Sequence, residues 1–488
     1  MLQGRTRAGA GWFPLQMLGR CFKFEAGCRE RDIQDARHPL PNLIYGAGVP
    51  APLRKMRMKF NKSGQLLLVS ACSLLVAGIL TACSTNTVDF VYVTSSLAAG
   101  ANSYGEIDVF EVNVESGYMR QIPTSPFPSG GRNPVADAVS TDFQNLYVVN
   151  KDDNTIVQFV IGIDGKLYPQ NTTNTPGIFP TAVAASASNL FVLDTYQPLT
   201  TCSTASPCSG SVAVYPILAA SGSSGASGSI VDGTLQANTP INACNGLDYV
   251  PLTLPGSASG DIVQPTALNI PGSTGNAGLM IAAYDVTANA GYIYGFSIGT
   301  MSCPNNPAPY QTIPTLTPLT GSPFAAGIQP SGIASDPTGS FVYVTDKTAG
   351  TVLGYAVQSG TLTPLTNGAG GGNSFAAGAQ PSALVVDTNG KFMYVTNFLD
   401  ANVTAYSINA GALTKIDSYA TGLQPVALGI DPSHNHYLYT INFLGNSVSG
   451  FQVNPTDGSL INTQSSPYRA NSLPTAVAAI PHNTPTAK

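Results

Sequence analysis

Charge is what this sequence has least of. Only 10% of its 488 residues are Asp, Glu, Lys or Arg, and it contains one tryptophan and four histidines. A helical protein with solvated charged faces has a different composition. The 50 glycines, 37 prolines and short clusters of Val, Thr, Tyr and Phe are instead typical of many short strands joined by tight turns. We therefore expect an all-β protein.

Common catalytic and cofactor-binding motifs are lacking as well. The sequence has no CxxC or CxxCH, so it gives no support to thioredoxin-like chemistry or covalent haem. It also has no HExxH, nucleotide-binding loop or Ser-His-Asp order. Beyond the N-terminal region the histidines are His434, His436 and His482, and none of them is expected at a ligand-binding face. Any general base for hydrolysis would therefore have to be a carboxylate.

Residues 58–82 have the features of a secretion signal. Two lysines precede an apolar run from Leu66 to Leu80, which is too short to be a spanning helix. The sequence Leu-Thr-Ala-Cys that ends at Cys83 resembles the lipobox of bacterial lipoproteins. That resemblance implies that Cys83 is a lipid anchor in the cell envelope, and Ser84 indicates the outer membrane, facing the periplasm or the cell surface. An ordinary secreted protein is the alternative.

Residues 1–57 precede this signal and are best explained by a start codon assigned too early, with a genuine N-terminal extension as the alternative. This stretch contains ten basic and four acidic residues, and the signal contains two more lysines, so the mature chain has 9 basic and 22 acidic residues and a net charge near −13. A body this acidic, without a basic stripe, is repelled by phosphate backbones. The sequence therefore argues against a nucleic-acid partner.

Four cysteines remain in the mature chain besides the predicted anchor, and they are Cys202, Cys208, Cys244 and Cys303. An even number fits disulfides in an oxidising compartment. The close spacing of Cys202 and Cys208 favours a small closed loop, which leaves Cys244 and Cys303 as a second pair, although four cysteines allow three connectivities. No histidine lies near these cysteines, so a zinc site is not supported.

A repeat of roughly 44 to 51 residues is the strongest internal signal. Its clearest copies begin at Pro330, Pro381 and Pro425, and each reads as four short strands with an Asp-containing turn between the first and second. Weaker copies begin at Pro134, Pro180 and Pro265. A single four-stranded sheet cannot bury both of its faces, so units of this size stack around an axis as propeller blades.

The two ends of the repeat region complete one further blade. The region opens with a second strand, Phe90-Val-Tyr-Val-Thr94, and closes with a first strand, Pro474 to Ile480. Pairing them predicts a seven-bladed β-propeller over residues 89–482, with a tether at 83–88, insertions on the third blade at about 197–211 and 241–263, and a C-terminal tail at 483–488. An eighth blade hidden between Gln197 and Val263 is the alternative.

The repeats resemble a known family. Phe341-Val-Tyr-Val-Thr-Asp346 and Ser322-Pro-Phe-Ala-Ala-Gly327 are similar to the Tyr-Val-Thr-Asn repeat propellers, which include the seven-bladed lactonase-like proteins related to 6-phosphogluconolactonase. The resemblance covers nearly all of the chain from Phe90 to His482. It implies the seven-bladed fold, and for some members lactone hydrolysis, whereas others are surface-layer repeats or binding proteins. The family's catalytic histidine and glutamate have no match here.

Loops from the fourth strand to the next first strand, and turns from the second strand to the third, reach the same face of a propeller, which we call the mouth. The residues before the repeat prolines include five amides, namely Asn133, Gln264, Gln329, Gln380 and Gln424. The residues that end the second strands form a partly acidic ring of Asn150, Asp194, Asp285, Asp346, Asn397 and Asn442. Amides both donate and accept hydrogen bonds, so the mouth suits sugars, lactones or peptide backbone.

Other interpretations of these residues remain open. Strand-ending Asp and Asn side chains also bond their own turns, and a residue before proline also fits an extended backbone. Asp194, Asp285 and Asp346, with Asn150, are candidate calcium ligands; otherwise we expect no cofactor and no metal. Our leading hypothesis is an envelope propeller that binds a sugar, lactone or protein ligand at its mouth. The alternative is a lactone hydrolase, for which Asp285, Asp346 and Arg132 are candidates, with Lys151 and Lys347 as further cations near this face.

Overall fold

The structure is a computed structural model that describes residues 87–99, 103–217, 249–255, 260–272, 278–304, 312–367 and 372–482. The predicted signal, the anchor Cys83 and the segment 1–57 lie outside these residues. Within them the protein is all-β, with seven antiparallel sheets arranged as the blades of a propeller. No helix in this part of the chain has the length and apolar character needed to cross a membrane.

The blades follow one another along the chain, and only blade 1 combines both ends of the repeat region. Blade 1 contains β1 (Thr87–Ala99), β2 (Tyr104–Asn113), β3 (Met119–Gln121), β4 (Phe127–Pro128) and, from the C-terminus, β32 (Pro474–Pro481); blade 2 contains β5 (Pro134–Val139), β6 (Asn145–Asn150), β7 (Thr155–Ile161) and β8 (Leu167–Asn174). Blade 3 contains β9 (Ile178–Ala185), β10 (Asn189–Tyr196), β11 (Ser211–Pro216) and β12 (Tyr249–Pro251); blade 4 contains β13 (Val263–Asn269), β14 (Leu279–Asp285), β15 (Ala290–Ser302), β16 (Thr312–Pro318) and β17 (Phe324–Ala325). Blade 5 contains β18 (Pro330–Ser335), β19 (Phe341–Asp346), β20 (Thr351–Gln358), β21 (Thr361–Pro364) and β22 (Ser374–Ala376); blade 6 contains β23 (Pro381–Val386), β24 (Phe392–Asn397), β25 (Asn402–Asn409) and β26 (Ala412–Ala420); and blade 7 contains β27 (Pro425–Ile430), β28 (Tyr437–Asn442), β29 (Ser447–Val453), β30 (Leu460–Asn462) and β31 (Tyr468–Arg469).

The second strand of each blade is the most deeply buried. All six residues of β6, β24 and β28 are buried, although side chains alternate between the two faces of a strand. Both faces are covered because each blade packs against a neighbour on either side. Apolar clusters accordingly span two blades, and one of them joins Phe90 and Tyr92 of blade 1 to Leu146 and Val148 of blade 2. The aromatic and β-branched residues of the repeat therefore form the apolar contacts between neighbouring blades.

The ring closes as the sequence predicted. β1 pairs with β32 in antiparallel register, with Phe90 opposite Ile480 and Val93 opposite Val477. Ile480 is 3% exposed and packs in the cluster between blades 1 and 2. The C-terminal strand therefore supplies the innermost strand of blade 1, and the count of seven blades is confirmed.

A repeated contact joins consecutive blades near their outer hairpins. Tyr92 of blade 1 donates a hydrogen bond from its hydroxyl to the carbonyl of Gly165 in blade 2 at 3.2 Å, and the ring of Phe90 covers the same glycine. A Cβ on Gly165 would lie 2.5 Å from that ring, and the φ of this glycine is +76°. Equivalent contacts join blades 5 and 6 through Phe341, Tyr343 and Gly411, and blades 6 and 7 through Phe392, Tyr394 and Gly458.

The contact between blades 7 and 1, which we call the closing seam, departs from this pattern. Tyr439 donates its hydroxyl to Asp89 Oδ2 at 3.2 Å instead of to a glycine carbonyl. The charge of the Asp431 carboxyl acts on that of Asp89, and both residues are 0% exposed. Burial and the nearby Asp431 raise the pKa of Asp89 to about 8, although the Tyr439 hydrogen bond opposes the shift.

Blade 3 carries the predicted disulfide and part of the predicted insertions. Cys202 and Cys208 are bonded to each other within the segment that joins β10 to β11. Cys303 is also in a disulfide, while its predicted partner Cys244 lies outside the described residues. The fourth strand, β12, falls inside the range 241–263 that the sequence assigned to an insertion, because it has only three residues and lacks the aromatic repeat.

Candidate functional site

The mouth is assembled as predicted, because backbone bonds join its two kinds of loop. In blade 5 the amide of Lys347, just after the second strand, donates to the carbonyl of Gln329, just before the repeat proline, at 2.9 Å. The same bond occurs in four other blades, from Lys151 to Asn133, Phe398 to Gln380, Phe443 to Gln424 and Ser96 to Leu473. In these five blades the two kinds of loop are therefore joined at one face of the propeller.

The residues before the prolines differ from expectation in their backbone. Five of them are left-handed rather than extended, with φ between 53° and 58°, and they are Asn133, Phe179, Gln380, Gln424 and Leu473. This geometry places each of four carbonyls where it accepts the amide bond just described, and it gives the Phe179 carbonyl to the Thr195 hydroxyl at 2.7 Å. Gln264 lies instead within β13, opposite Tyr284. The alternative that a glutamine before proline only fits an extended backbone is therefore wrong for Gln380 and Gln424.

The amide side chains of the mouth are half-buried and differ in what they contact. Asn133 Nδ2 donates to Asp152 Oδ1 at 3.1 Å, and Gln329 Oε1 accepts from Thr348 Oγ1 at 3.1 Å. Gln264, Gln380 and Gln424 are likewise half-buried at this face. The structure thus brings the five predicted amides to the mouth, on five different blades.

The residues that end the second strands are placed differently, because they are buried beneath the mouth. Asn150, Asp194, Asp285, Asp346, Asn397 and Asn442 are each no more than 1% exposed. Asp346 accepts backbone N–H groups from both loops of its blade, including Ile328 at 2.7 Å and Thr348 at 3.1 Å. Asn397 accepts from the Gly378 amide at 2.9 Å. These side chains hold the mouth loops together rather than lining an open surface.

The catalytic candidates do not form a constellation. Asp285 accepts the amides of Thr287 and Ala288 in its own turn, and Asp346 lies in a different blade. Arg132 is exposed and donates its Nε to Asp153 Oδ1 at 2.6 Å. Within the described ranges no three His, Cys, Asp or Glu side chains are grouped to hold a metal ion. Asp194, Asp285 and Asp346 lie on three different blades, and each accepts backbone amides from the loops of its own blade.

Sequence reasoning missed a ring of hydroxyls at the inner edge of the mouth. In all seven blades the residue after the repeat proline is bulged out of register, and in five it is Ser or Thr, namely Thr181, Thr266, Ser331, Ser382 and Thr475. Ser331 Oγ donates to the Pro381 carbonyl of the next blade at 2.6 Å, and Ser382 Oγ to that of Pro425 at 2.7 Å. The recurring Pro-Ser/Thr pair was the available signal.

A cavity of about 440 Å³ opens at the mouth between blades 5 and 6. Gln329, Gln380, Lys347, Thr348 and Gly350 are among its lining residues. Lys347 Nζ lies 5.8 Å from the centroid of the Phe398 ring, and among the described residues no carboxylate lies within 4.0 Å of it. The cavity therefore combines an available cation with amides that both donate and accept.

A second cavity, of about 260 Å³, lies on the rim and contains none of the predicted residues. Its lining includes Glu111, Tyr118, Arg120 and Gln464. Arg120 and Glu111 pair with each other there, so this cavity offers no uncompensated charge. We regard the mouth cavity as the better candidate, since five blades converge their polar side chains on that face.

These features define a seven-bladed propeller with a polar mouth. Residues 310–477 match the family described as "Lactonase, 7-bladed beta-propeller". The resemblance expected from the repeats is thus confirmed.

Three solved structures share this fold over nearly their whole length. A putative 6-phosphogluconolactonase from Bacteroides fragilis has a TM-score of 0.61 at 19% identity, covering 81% of this chain and 99% of that one. A second from Bacteroides uniformis has 0.56 at 18%, covering 81% and 100%. The Pseudomonas aeruginosa periplasmic gluconolactonase PpgL has 0.57 at 17%, covering 80% and 99%. At these identities the likeness shows the fold alone. No curated protein matches the sequence.

Proposed function

We propose that this protein is an envelope-anchored propeller that binds hydroxylated, negatively charged small molecules, such as sugar acids, at its mouth. The observation that carries the proposal is Lys347, an ammonium group in a polar cavity without a carboxylate partner among the described residues. The body around it is acidic, so a cation left available at this face is a specific feature and not part of a general basic surface.

The neighbouring side chains fit a polyhydroxylated ligand. Gln329 and Gln380 line the same cavity, and amides satisfy hydroxyl groups in either direction. Thr348 already bonds Gln329, which orients that amide within the cavity wall. The left-handed Gln380 is fixed through its own carbonyl, which leaves its side chain available at the mouth.

Binding fits the geometry better than hydrolysis does. Hydrolysis requires a general base beside a water molecule and donors aimed at the oxyanion. Asp400 accepts the amide of Ala379, which lines this cavity, at 2.7 Å, and Asp346, the residue before Lys347, is 1% exposed and is occupied by backbone amides. Because Asp346 already accepts these backbone amides, its carboxylate is not available to take a proton from an attacking water molecule.

Titration calorimetry with sodium gluconate tests the proposal. Lys347→Gln should weaken binding by about 10-fold to 100-fold, because a hydrogen bond to a charged group contributes about 1.5–3 kcal/mol. The matched control is Lys391→Gln, since Lys391 is an exposed lysine that lies in a first-to-second strand turn away from the mouth. Equal losses in both variants, or no binding of gluconate to the unmodified protein, would reject the proposal.

Lactone hydrolysis is the second candidate, and the lactonase family match is the observation that favours it. A pH-stat assay of protein beginning at Ser84 with glucono-δ-lactone distinguishes the two. Turnover above the buffer rate that Asp346→Asn or Asp285→Asn abolishes, with an unchanged melting curve, would replace the binding function. We expect no such turnover.

The envelope location is part of the same proposal and is supported by the lipobox-like ending at Cys83. Expression in a bacterial host with a clickable fatty-acid analogue should label the protein and place it in the outer-membrane fraction. Cys83→Ala should remove the label and prevent anchoring. Labelling that persists in this variant would contradict a lipid anchor at Cys83.

A further inference from the structure

Three leucines stand exposed at the mouth, on blades 6 and 7. Leu399 is 58% exposed, Leu423 is 61% and Leu444 is 51%, and we call these three residues the leucine patch. Leu399 and Leu444 lie in the turns after β24 and β28, and Leu423 lies in the loop between β26 and β27. Single exposed leucines are ordinary, but three in adjoining loops of one face indicate a surface that binds something apolar.

The other blades show that the fold does not require leucine there. Leu399 and Leu444 are each the second residue after the end of the second strand. At the same place blades 2, 4 and 5 have Asp152, Thr287 and Thr348. The turn thus forms equally well with a polar residue, so the leucines have no structural role that the repeat demands.

The leucine patch is continuous with the mouth cavity. The Leu399 amide donates to the carbonyl of Ala379, which lines the cavity, at 3.2 Å. From there the Thr421 amide bonds the Ala401 carbonyl at 2.9 Å, and the Gly445 amide bonds the Leu423 carbonyl at 3.1 Å. The ring of Phe398 lies beneath Lys347 at the junction. One surface therefore runs from a cation, across an aromatic ring, to three leucines.

We propose that the mouth binds an amphiphile, whose anionic or hydroxylated head occupies the cavity at Lys347 and whose acyl chain lies over the leucine patch. This inference rests on the proposed function for the head and adds the class of ligand. Charge complementarity fixes the direction, because the only end of this surface that suits a negative group is the Lys347 end. A protein partner seated on the same leucines is the competing occupant that the experiment must exclude.

Titrations of the intact mature protein with sodium hexanoate, octanoate and decanoate, each below its micelle concentration, test the inference. Affinity should rise by about twofold per methylene. Full burial of a methylene contributes about 0.8 kcal/mol, and an open surface removes only about half of its area from water. The double variant Leu399→Ser/Leu444→Ser should abolish this rise while leaving gluconate binding unchanged. Ile461→Ser is the control, since Ile461 is 65% exposed but lies on β30 at the outer edge of blade 7.

The outcomes separate this inference from the proposed function. If gluconate binds but the affinity for the fatty acids does not depend on their chain length, the amphiphile is overturned and the sugar-acid site remains. Decanoate binding that depends on the leucines but is unchanged in Lys347→Gln overturns the single spanning ligand, while gluconate binding to Lys347→Gln still decides the sugar-acid site. Self-association in sedimentation experiments that the leucine variant abolishes would show a protein partner and overturn the inference.

Discussion

Replacing Asp89 by asparagine should remove the loss of stability at the closing seam that accompanies a rise in pH from about 4 to about 8. The pKa of Asp89 is raised to about 8, mainly by burial and then by Asp431. A carboxyl with a higher pKa in the folded protein than in the unfolded chain binds more protons when folded, so the free energy of unfolding falls as the pH rises from about 4 to about 8. Above pH 8 the loss is complete. Asparagine keeps the shape, carries no charge and still accepts from Tyr439.

The size of the effect follows from the shift. A change from 3.8 to about 8 sets an upper limit of about 6 kcal/mol on the loss. Water entering the seam after ionisation reduces this, and we expect roughly 2–3 kcal/mol. For a chain of this size, 1 kcal/mol changes the melting temperature by roughly 1–2 °C. Asp89→Asn should therefore melt about 3 °C above the unmodified protein at pH 9 and only about 1 °C above it at pH 5, where about a quarter of the loss has accrued.

Differential scanning calorimetry across pH 5 to 9 provides the measurement. His434 lies 4.0 Å from Asp431 at the seam, and the ring of His436 is stacked on that of His434; both histidines are present in both proteins, so the difference between the two melting curves reports on Asp89. Asp137→Asn is the control: burial raises the pKa of Asp137 to about 7, and Asp137 lies between blades 1 and 2. The difference in melting temperature between Asp137→Asn and the unmodified protein should reach its midpoint at a lower pH than the difference for Asp89→Asn. A difference for Asp89→Asn that stays constant from pH 5 to 9 would refute the reasoning.

Three further changes test the architecture. Deleting residues after Leu473 removes β32 and the buried Ile480, so the melting temperature should fall by more than for Ile480→Ala, which should cost about 2–5 kcal/mol; an unchanged melt would disprove closure by this strand. Gly411→Ala forces a Cβ to within 2.5 Å of the Phe341 ring and should destabilise by about 2 kcal/mol more than Gly360→Ala, which has a similar φ but meets only a flexible leucine end at 3.3 Å; equal losses would exclude the ring contact. Cys202→Ser/Cys208→Ser opens a short loop and should cost about 2 kcal/mol by thermal melting, while a larger loss that includes gluconate binding would show that this loop supports the mouth.

Most of the fold could be predicted from the repeat, because the same pattern of strands and turns recurs in nearly every blade. Phe90-Val-Tyr-Val and Pro474 to Ile480 each lacked a partner strand, and the requirement to satisfy sheet edges predicted their pairing. β12 was harder to place, since three residues without the aromatic pattern carry no periodic signal. The repeat thus predicted the blades, but it did not predict where the fourth strand of blade 3 lies.

The mouth was only partly predictable. Which loops meet there followed from topology, so the amides at Gln329 and Gln380 were placed on the correct face. Burial of Asp346 and Asn397 did not follow, because the same residue types serve turns and ligands equally well. The cavity beside Lys347 and the exposed leucines depend on the packing of neighbouring loops, which a single repeat does not encode.

The left-handed residues before the prolines make the mouth a set of exchangeable positions. Asparagine, phenylalanine, glutamine and leucine all occupy this conformation, and in four of the five blades that have it the backbone carbonyl bonds the neighbouring turn. The connection between the loops thus rests on a backbone group that every residue type possesses. New recognition is therefore open to evolution, or to design, through one blade at a time, while the backbone connections of the other blades stay as they are.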